Sequence, residues 1–139
     1  MAYCTVADLV AAFGEADIAS LTHRKPGPAP GVDAAVAQDA IVKAEAEINV
    51  YLESRYPLPL AATPLILQQV AADISRFYLF TTIDEDHPAA QRYRQRIKLL
   101  EGVAAGRLSL GLDAASQVAP TVDTVQIATG RNDFGGSNW

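Results

Sequence analysis

The stretch Tyr51–Pro64, YLESRYPLPLAATP, lies between two long segments with helical apolar spacing. Pro57 and Pro59 carry no amide hydrogen, and a residue that precedes proline is driven toward extended backbone. The pattern predicts a helix that stops near Tyr56, a chain that runs extended to Pro64, and a new helix opened by Pro64 at its first position. Everything else in the chain can be placed relative to this break.

Upstream of it, Ala37, Ile41, Ala44, Ile48 and Tyr51 recur in steps of four and three. That is the buried stripe of an amphipathic helix of about 23 residues, capped by Asp33. Asp39, Lys43, Glu47 and Glu53 fall off the stripe. Downstream, Leu65, Ile66, Leu67, Val70, Ala71, Ile74, Phe77, Tyr78 and Phe80 surround most of a helix expected from Pro64 to Thr82. A helix apolar on nearly all sides belongs at the centre of a bundle.

Two further helices complete the expected bundle of about four. Thr5 and Asp8 form a capping-box pattern before Val6, Leu9, Val10 and Phe13, with Gly14 as the stop. Residues 15–21 add a short helical turn, and residues 22–32, THRKPGPAPGV, read as a loop. After the acidic turn Asp84-Glu85-Asp86, either Asp86 or His87 can cap a helix with Pro88 in its first turn. Tyr93, Ile97, Leu100 and Ala104 form its buried stripe, and Gly102 and Gly106 weaken its end. Beyond Arg107 the alternation of Leu108, Leu110 and Leu112 suggests a short extended or β element, and the β-branched run Thr121–Thr129 suggests a second. The last ten residues, GRNDFGGSNW, have no period and read as a flexible C-terminal arm. The expected organisation is a helical domain over residues 1–107, then an extended or β element and a docking arm over residues 108–139.

Composition narrows the function. The chain has 139 residues, half of them hydrophobic, which suits one domain with a real core. Its net charge of −5 argues against gripping DNA, because phosphate affinity needs concentrated Lys and Arg. No apolar run approaches the about 20 residues that span a bilayer, and the N-terminus lacks the pattern of a signal peptide. Cys4 is the single cysteine, so an internal disulfide is excluded and a reducing compartment fits.

Candidate chemistry is sparse. His23 and His87 have no Cys or His at metal-ligand spacing, and the acidic turn lacks the alternating ligands of a calcium loop. Cys4 has none of the local signatures of a catalytic thiol, and no phosphate-binding glycine loop is present. The reading is a protein without catalytic residues, metal or cofactor. Interaction residues are better represented. Arg92, Arg94, Arg96 and Lys98 form two rows on the last helix, a surface for solvent, an acidic protein partner or nucleic acid. Arg55 is expected to complement a helix C-terminus, or to pair with Asp73 or Glu53. In the tail, Arg131, Phe134 and Trp139 are the residue types that anchor interfaces.

Tyr3 with the first helix through Leu9 and Gly14, the alanine-rich second helix, Tyr51-Leu52, Arg55-Tyr56, Leu58-Pro59-Leu60, Pro64, Ala72-Asp73-Ile74 and Leu99-Leu100 through Gly106 together resemble the Mu-like neck-protein family, head–tail connectors (adaptors) of tailed phages. The likeness covers about residues 3–107 and is carried mainly by YLxxRYxLPL in its helical context. The proline-rich loop from Pro26 to Pro30 departs from the family pattern. The resemblance implies a mainly α, non-enzymatic structural protein of the virion neck, assembled in the host bacterial cytoplasm. It implies partners as well: further copies in a ring with the portal's twelvefold symmetry, the portal itself, and a tail-side neck protein. DNA would pass through without specific binding, and no membrane would be involved. The junction residues Arg55, Tyr56, Pro57, Leu58, Pro59 and Pro64 would belong to this scaffold, with Arg92, Arg96, Arg131, Phe134 and Trp139 as interface residues. The competing reading is a helical module that binds nucleic acid or protein through the basic helix.

Overall fold

The computed structural model describes residues 2–28 and 30–112. Five helices follow one another in this order: α1 (Val6–Phe13), α2 (Glu15–Thr22), α3 (Ala34–Leu52), α4 (Leu65–Leu79) and α5 (Pro88–Ala104). The described residues contain no strand. The helical unit ends at Leu108, and a second unit begins at Ser109. Residues 108–112 follow bends and irregular backbone rather than a strand. The expected strand at 121–129 and the arm at 130–139 lie outside the described residues.

Local chemistry sets the helix starts. At α1 the Thr5 hydroxyl accepts from the Asp8 amide at 3.2 Å and the Thr5 amide donates to Asp8 Oδ2 at 2.8 Å, a complete capping box. Asp33 caps α3 by accepting from the amides of Ala35 and Val36. Of the two candidates for α5, His87 is the cap, its Nδ1 accepting from the Ala89 amide at 3.0 Å. The expected helical turn after Gly14 is a full helix of eight residues. Gly14 both ends α1 and starts α2 at φ 91°, a backbone that L side chains rarely adopt.

The proline break behaves as its chemistry requires, with a shift in register. The α3 helix ends at Leu52, and helical bonding lingers through the Tyr56 amide, which donates to the Leu52 carbonyl at 2.9 Å. Residues 57–63 are not straight: the chain bends at Leu58-Pro59, joined by a cis peptide bond, and again at Ala61-Ala62. Pro64 occupies the position before the first helical residue instead of that residue itself. The bends tuck Tyr56 and Leu60 inward, where both are buried.

The α4 helix packs against all four others. Leu67, Val70, Ala71, Ala72, Ile74 and Leu79 on it are buried and meet Ala37, Ile41, Ala44, Ile48 and Leu52 from α3 with Leu100 and Val103 from α5. Each large aliphatic side chain among these contributes about 1.5–3 kcal/mol relative to exposure. The buried polar groups have partners. The Thr22 hydroxyl donates to the Ile18 carbonyl at 2.8 Å and accepts from the Asp33 amide at 3.0 Å, closing the proline-rich loop at its base. Arg24 reaches across to the Leu79 carbonyl at 3.0 Å, at the end of α4.

Cys4 is buried, with Ser75 Oγ 3.9 Å from its sulfur. Burial is the main cause that pushes its thiol up from 9.0 to about 11. A raised folded pKa favours the neutral thiol in the native state, so this contribution is intact below the unfolded value and lost as pH climbs through the folded one. Native protein is expected to leave Cys4 unlabelled by a thiol reagent at neutral pH and to become reactive only on unfolding. Denaturation curves between pH 9 and about 11 should decline more steeply for wild type than for Cys4→Ala. Equal slopes would refute the assignment.

Candidate interaction surfaces

Three polar constellations hold the helices in register, and each uses residues singled out in the sequence. The first centres on Asp73 of α4, which is only 7% exposed. Arg96 of α5 donates from Nε to Asp73 Oδ2 at 2.6 Å, and Arg92 lies 3.7 Å from the other carboxylate oxygen. A buried carboxylate without such a partner would be severely destabilising, so Arg96 acts as its counter-ion across the α4–α5 contact. Arg92 is more than half exposed and adds less.

The second constellation joins three helices. Glu47 of α3 accepts from the Tyr78 hydroxyl of α4 at 2.7 Å and from the Tyr93 hydroxyl of α5 at 2.8 Å. Phe77 stacks on Tyr93 with centroids 4.0 Å apart, and Tyr78 meets both rings edge-on. Burial raises both tyrosine pKa values, and the Glu47 carboxylate raises them further, so both stay protonated donors at neutral pH. Sequence spacing placed Glu47 off the buried stripe. The usable signal was its position at the stripe's margin, three residues after buried Ala44 and one before buried Ile48.

The third constellation is the junction. Arg55 pairs with neither Asp73 nor Glu53. Its Nη1 donates to the Val103 carbonyl at 2.9 Å, satisfying an acceptor in the last turn of α5, and its guanidinium sits 5.6 Å from the Tyr56 ring centre. The expected role at a helix C-terminus is therefore met on a different helix. Gly106, at φ 85°, gives this guanidinium room: a Cβ there would stand 3.3 Å from Nη1. Pro57, Leu58, Pro59 and Pro64 shape the bends described above and carry no chemistry of their own.

The four cations of α5 thus divide. Arg92 and Arg96 turn toward Asp73, whereas Arg94 and Lys98 point outward beside Gln91 and Gln95 around a shallow depression. Arg94 also donates to the Glu85 carbonyl at 2.8 Å and Gln91 to that of Asp86 at 3.1 Å, so α5 side chains satisfy the acidic turn. On α3 the outward side carries Val42, Ala46 and Val50, with Val42 52% and Val50 65% exposed. An open depression of about 490 Å³ lies in the proline-rich loop, between Thr22 and Asp33. His23 there contacts the Gly27 carbonyl at 2.6 Å. Among the described residues no group of three or more His, Cys, Asp or Glu side chains is arranged to hold a metal. No helix among them is long and apolar enough to cross a membrane. The tail residues Arg131, Phe134 and Trp139 lie outside the described residues.

The division of the cations predicts unequal costs. Arg96→Met should destabilise the protein by about 2 kcal/mol, because it removes a charged hydrogen bond from a buried carboxylate. Arg92→Met should cost under about 1 kcal/mol, as exposed pairs do. Urea denaturation of the two variants checks this, and equal losses would contradict the geometry.

Comparison with known proteins places the chain. The family model described as Bacteriophage Mu, Gp36 matches residues 3–129. Gene product J of Escherichia phage Mu is 34% identical over 132 residues, covering 91% of this chain and 89% of that protein. The Mu-like prophage FluMu protein gp36 of Haemophilus influenzae is 39% identical over 84 residues, covering 60% of this chain and 59% of that protein. With the match running from α1 through the last helix and beyond it, this chain belongs to the Bacteriophage Mu Gp36 family.

Proposed function

We propose that this protein is a non-enzymatic head–tail connector. It assembles in the host cytoplasm as a ring between the portal and a tail-side neck protein, becomes part of the virion neck, and lets DNA pass without binding it specifically. The observation that carries this reading is membership of a phage family over residues 3–129, in a chain whose described polar clusters bind helix to helix. The net charge of −5 suits a passage for DNA, since a negatively lined channel repels the phosphate backbone. The rival nucleic-acid reading loses force because Arg92 and Arg96 are directed at Asp73, which leaves Arg94 and Lys98 as the outward cations of α5.

Closed rings need head-to-tail contacts in which one surface of each copy meets a different surface of the next. Light scattering of the purified protein, alone and mixed with portal protein, tests the proposal. The expected result is a ring of the portal's symmetry, formed alone or on the portal, and weakened by deleting residues 131–139. A monomer that leaves the portal's mass unchanged would overturn it.

A further inference from the structure

The two histidines have partners of opposite kind. His23 Nε2 lies 2.6 Å from the Gly27 carbonyl, which can only accept, so this ring nitrogen donates. His87 Nδ1 lies 3.0 Å from the Ala89 amide, which can only donate, so this ring nitrogen accepts through its lone pair. A protonated imidazole donates from both nitrogens and accepts at neither. The His23 contact therefore survives protonation, and the His87 bond does not. Turning the His87 ring over offers no second acceptor, because it puts the carbon Cδ2 where Nδ1 stood.

The place of this bond gives its loss a consequence. Pro88 brings no amide to α5, so Ala89 is the first residue of the helix with a donor to satisfy. Ala89 and Ala90 are each only 3% exposed, so the first turn lies against the bundle, where an amide without a partner is costly. The His87 ring meets Phe80, at the end of α4, with centroids 4.9 Å apart. The other bonds of the α4–α5 connection end on backbone carbonyls: the His87 amide on Asp84, Gln91 on Asp86 and Arg94 on Glu85. Of these bonds, that of His87 Nδ1 is the one whose acceptor takes a proton near neutral pH. The charged groups around it are the carboxylates of Asp84, Glu85 and Asp86 in its own turn and Arg94 of α5. On α4, Arg76 stands 5.8 Å from the Phe80 ring and is held by Asp17 of α2. Glu47 of α3 faces α5 further along, at Tyr93.

The geometry points to His87 as an acid-sensitive latch on the first turn of α5. A neutral imidazole closes the turn. Protonation at Nδ1 turns the acceptor into a donor facing the Ala89 amide and places a positive charge at the positive end of the helix dipole. The first turn and the acidic connection before it then open, while the bonds of Tyr93 and Arg96 hold the rest of α5 on the bundle. Carboxylates, guanidinium groups and phenols do not ordinarily change protonation in the range where histidine does. The latch belongs to the helical unit itself and stands apart from the connector reading.

Nuclear magnetic resonance of the full-length protein tests it. Imidazole nitrogen shifts at neutral pH should show His87 with its proton on Nε2 and His23 with Nε2 as a donor. Between about pH 7 and about pH 5.5, exchange of the Ala89 amide, corrected for its intrinsic pH dependence, should lose about fivefold in protection. His87→Asn caps the helix without titrating, and its Ala89 protection should stay level over the same range. His23→Asn should keep the wild-type response. A neutral His87 with its proton on Nδ1 would overturn the latch. So would Ala89 protection that is level with pH in the wild type, or that falls equally in His87→Asn.

Discussion

The carboxylate of Glu47 takes one hydroxyl from α4 and one from α5, and the position of the three long helices depends on it. The Tyr78 and Tyr93 rings belong in the apolar interior between the helices, but their hydroxyls do not. A buried hydroxyl left without an acceptor costs about 1–3 kcal/mol. Apolar packing alone would let α3, α4 and α5 slide along one another, because burial is nearly non-directional. Two hydrogen bonds of 2.7 and 2.8 Å to one carboxylate remove that freedom. The Asp73–Arg96 pair at 2.6 Å does the same between α4 and α5, and Arg55 ties the break after α3 to the last turn of α5. The fold is thus an apolar bundle whose register is set by a few long-range polar contacts.

These contacts also decide what the surface can offer. Arg96 is drawn to Asp73, which leaves Arg94 and Lys98 as the outward cations of α5. Glu47 is held by two tyrosines, and Asp39 pairs with Lys43 at 3.0 Å on the exposed side of α3.

Much of the bundle was legible in the sequence because its signals are local. Capping chemistry located α1 and α3 through Thr5 and Asp33 and narrowed the α5 cap to Asp86 or His87, and steps of three and four located the buried stripes. Prolines marked the break after α3, but not its course: the bends at 57–63 follow from where Tyr56 and Leu60 find the core, which no local rule contains. The α2 helix was seen only as a turn, since it is short and follows Gly14 without a side-chain cap. The site was less legible. Spacing sorts Arg92 with Arg96 and Arg94 with Lys98 into two rows, but only the placement of Asp73 on α4 shows which row turns inward. Glu47 fell off the buried stripe with no role assigned, because its tyrosine partners lie 31 and 46 residues away.

The helical unit holds its polar clusters closed without any partner chain. Hydrogen–deuterium exchange of the full-length protein, alone and bound to portal, tests this most directly. The α4 amides are expected to be strongly protected in the free protein and unchanged by binding. Amides of α4 that exchange rapidly in the free protein and become protected only on binding would contradict it.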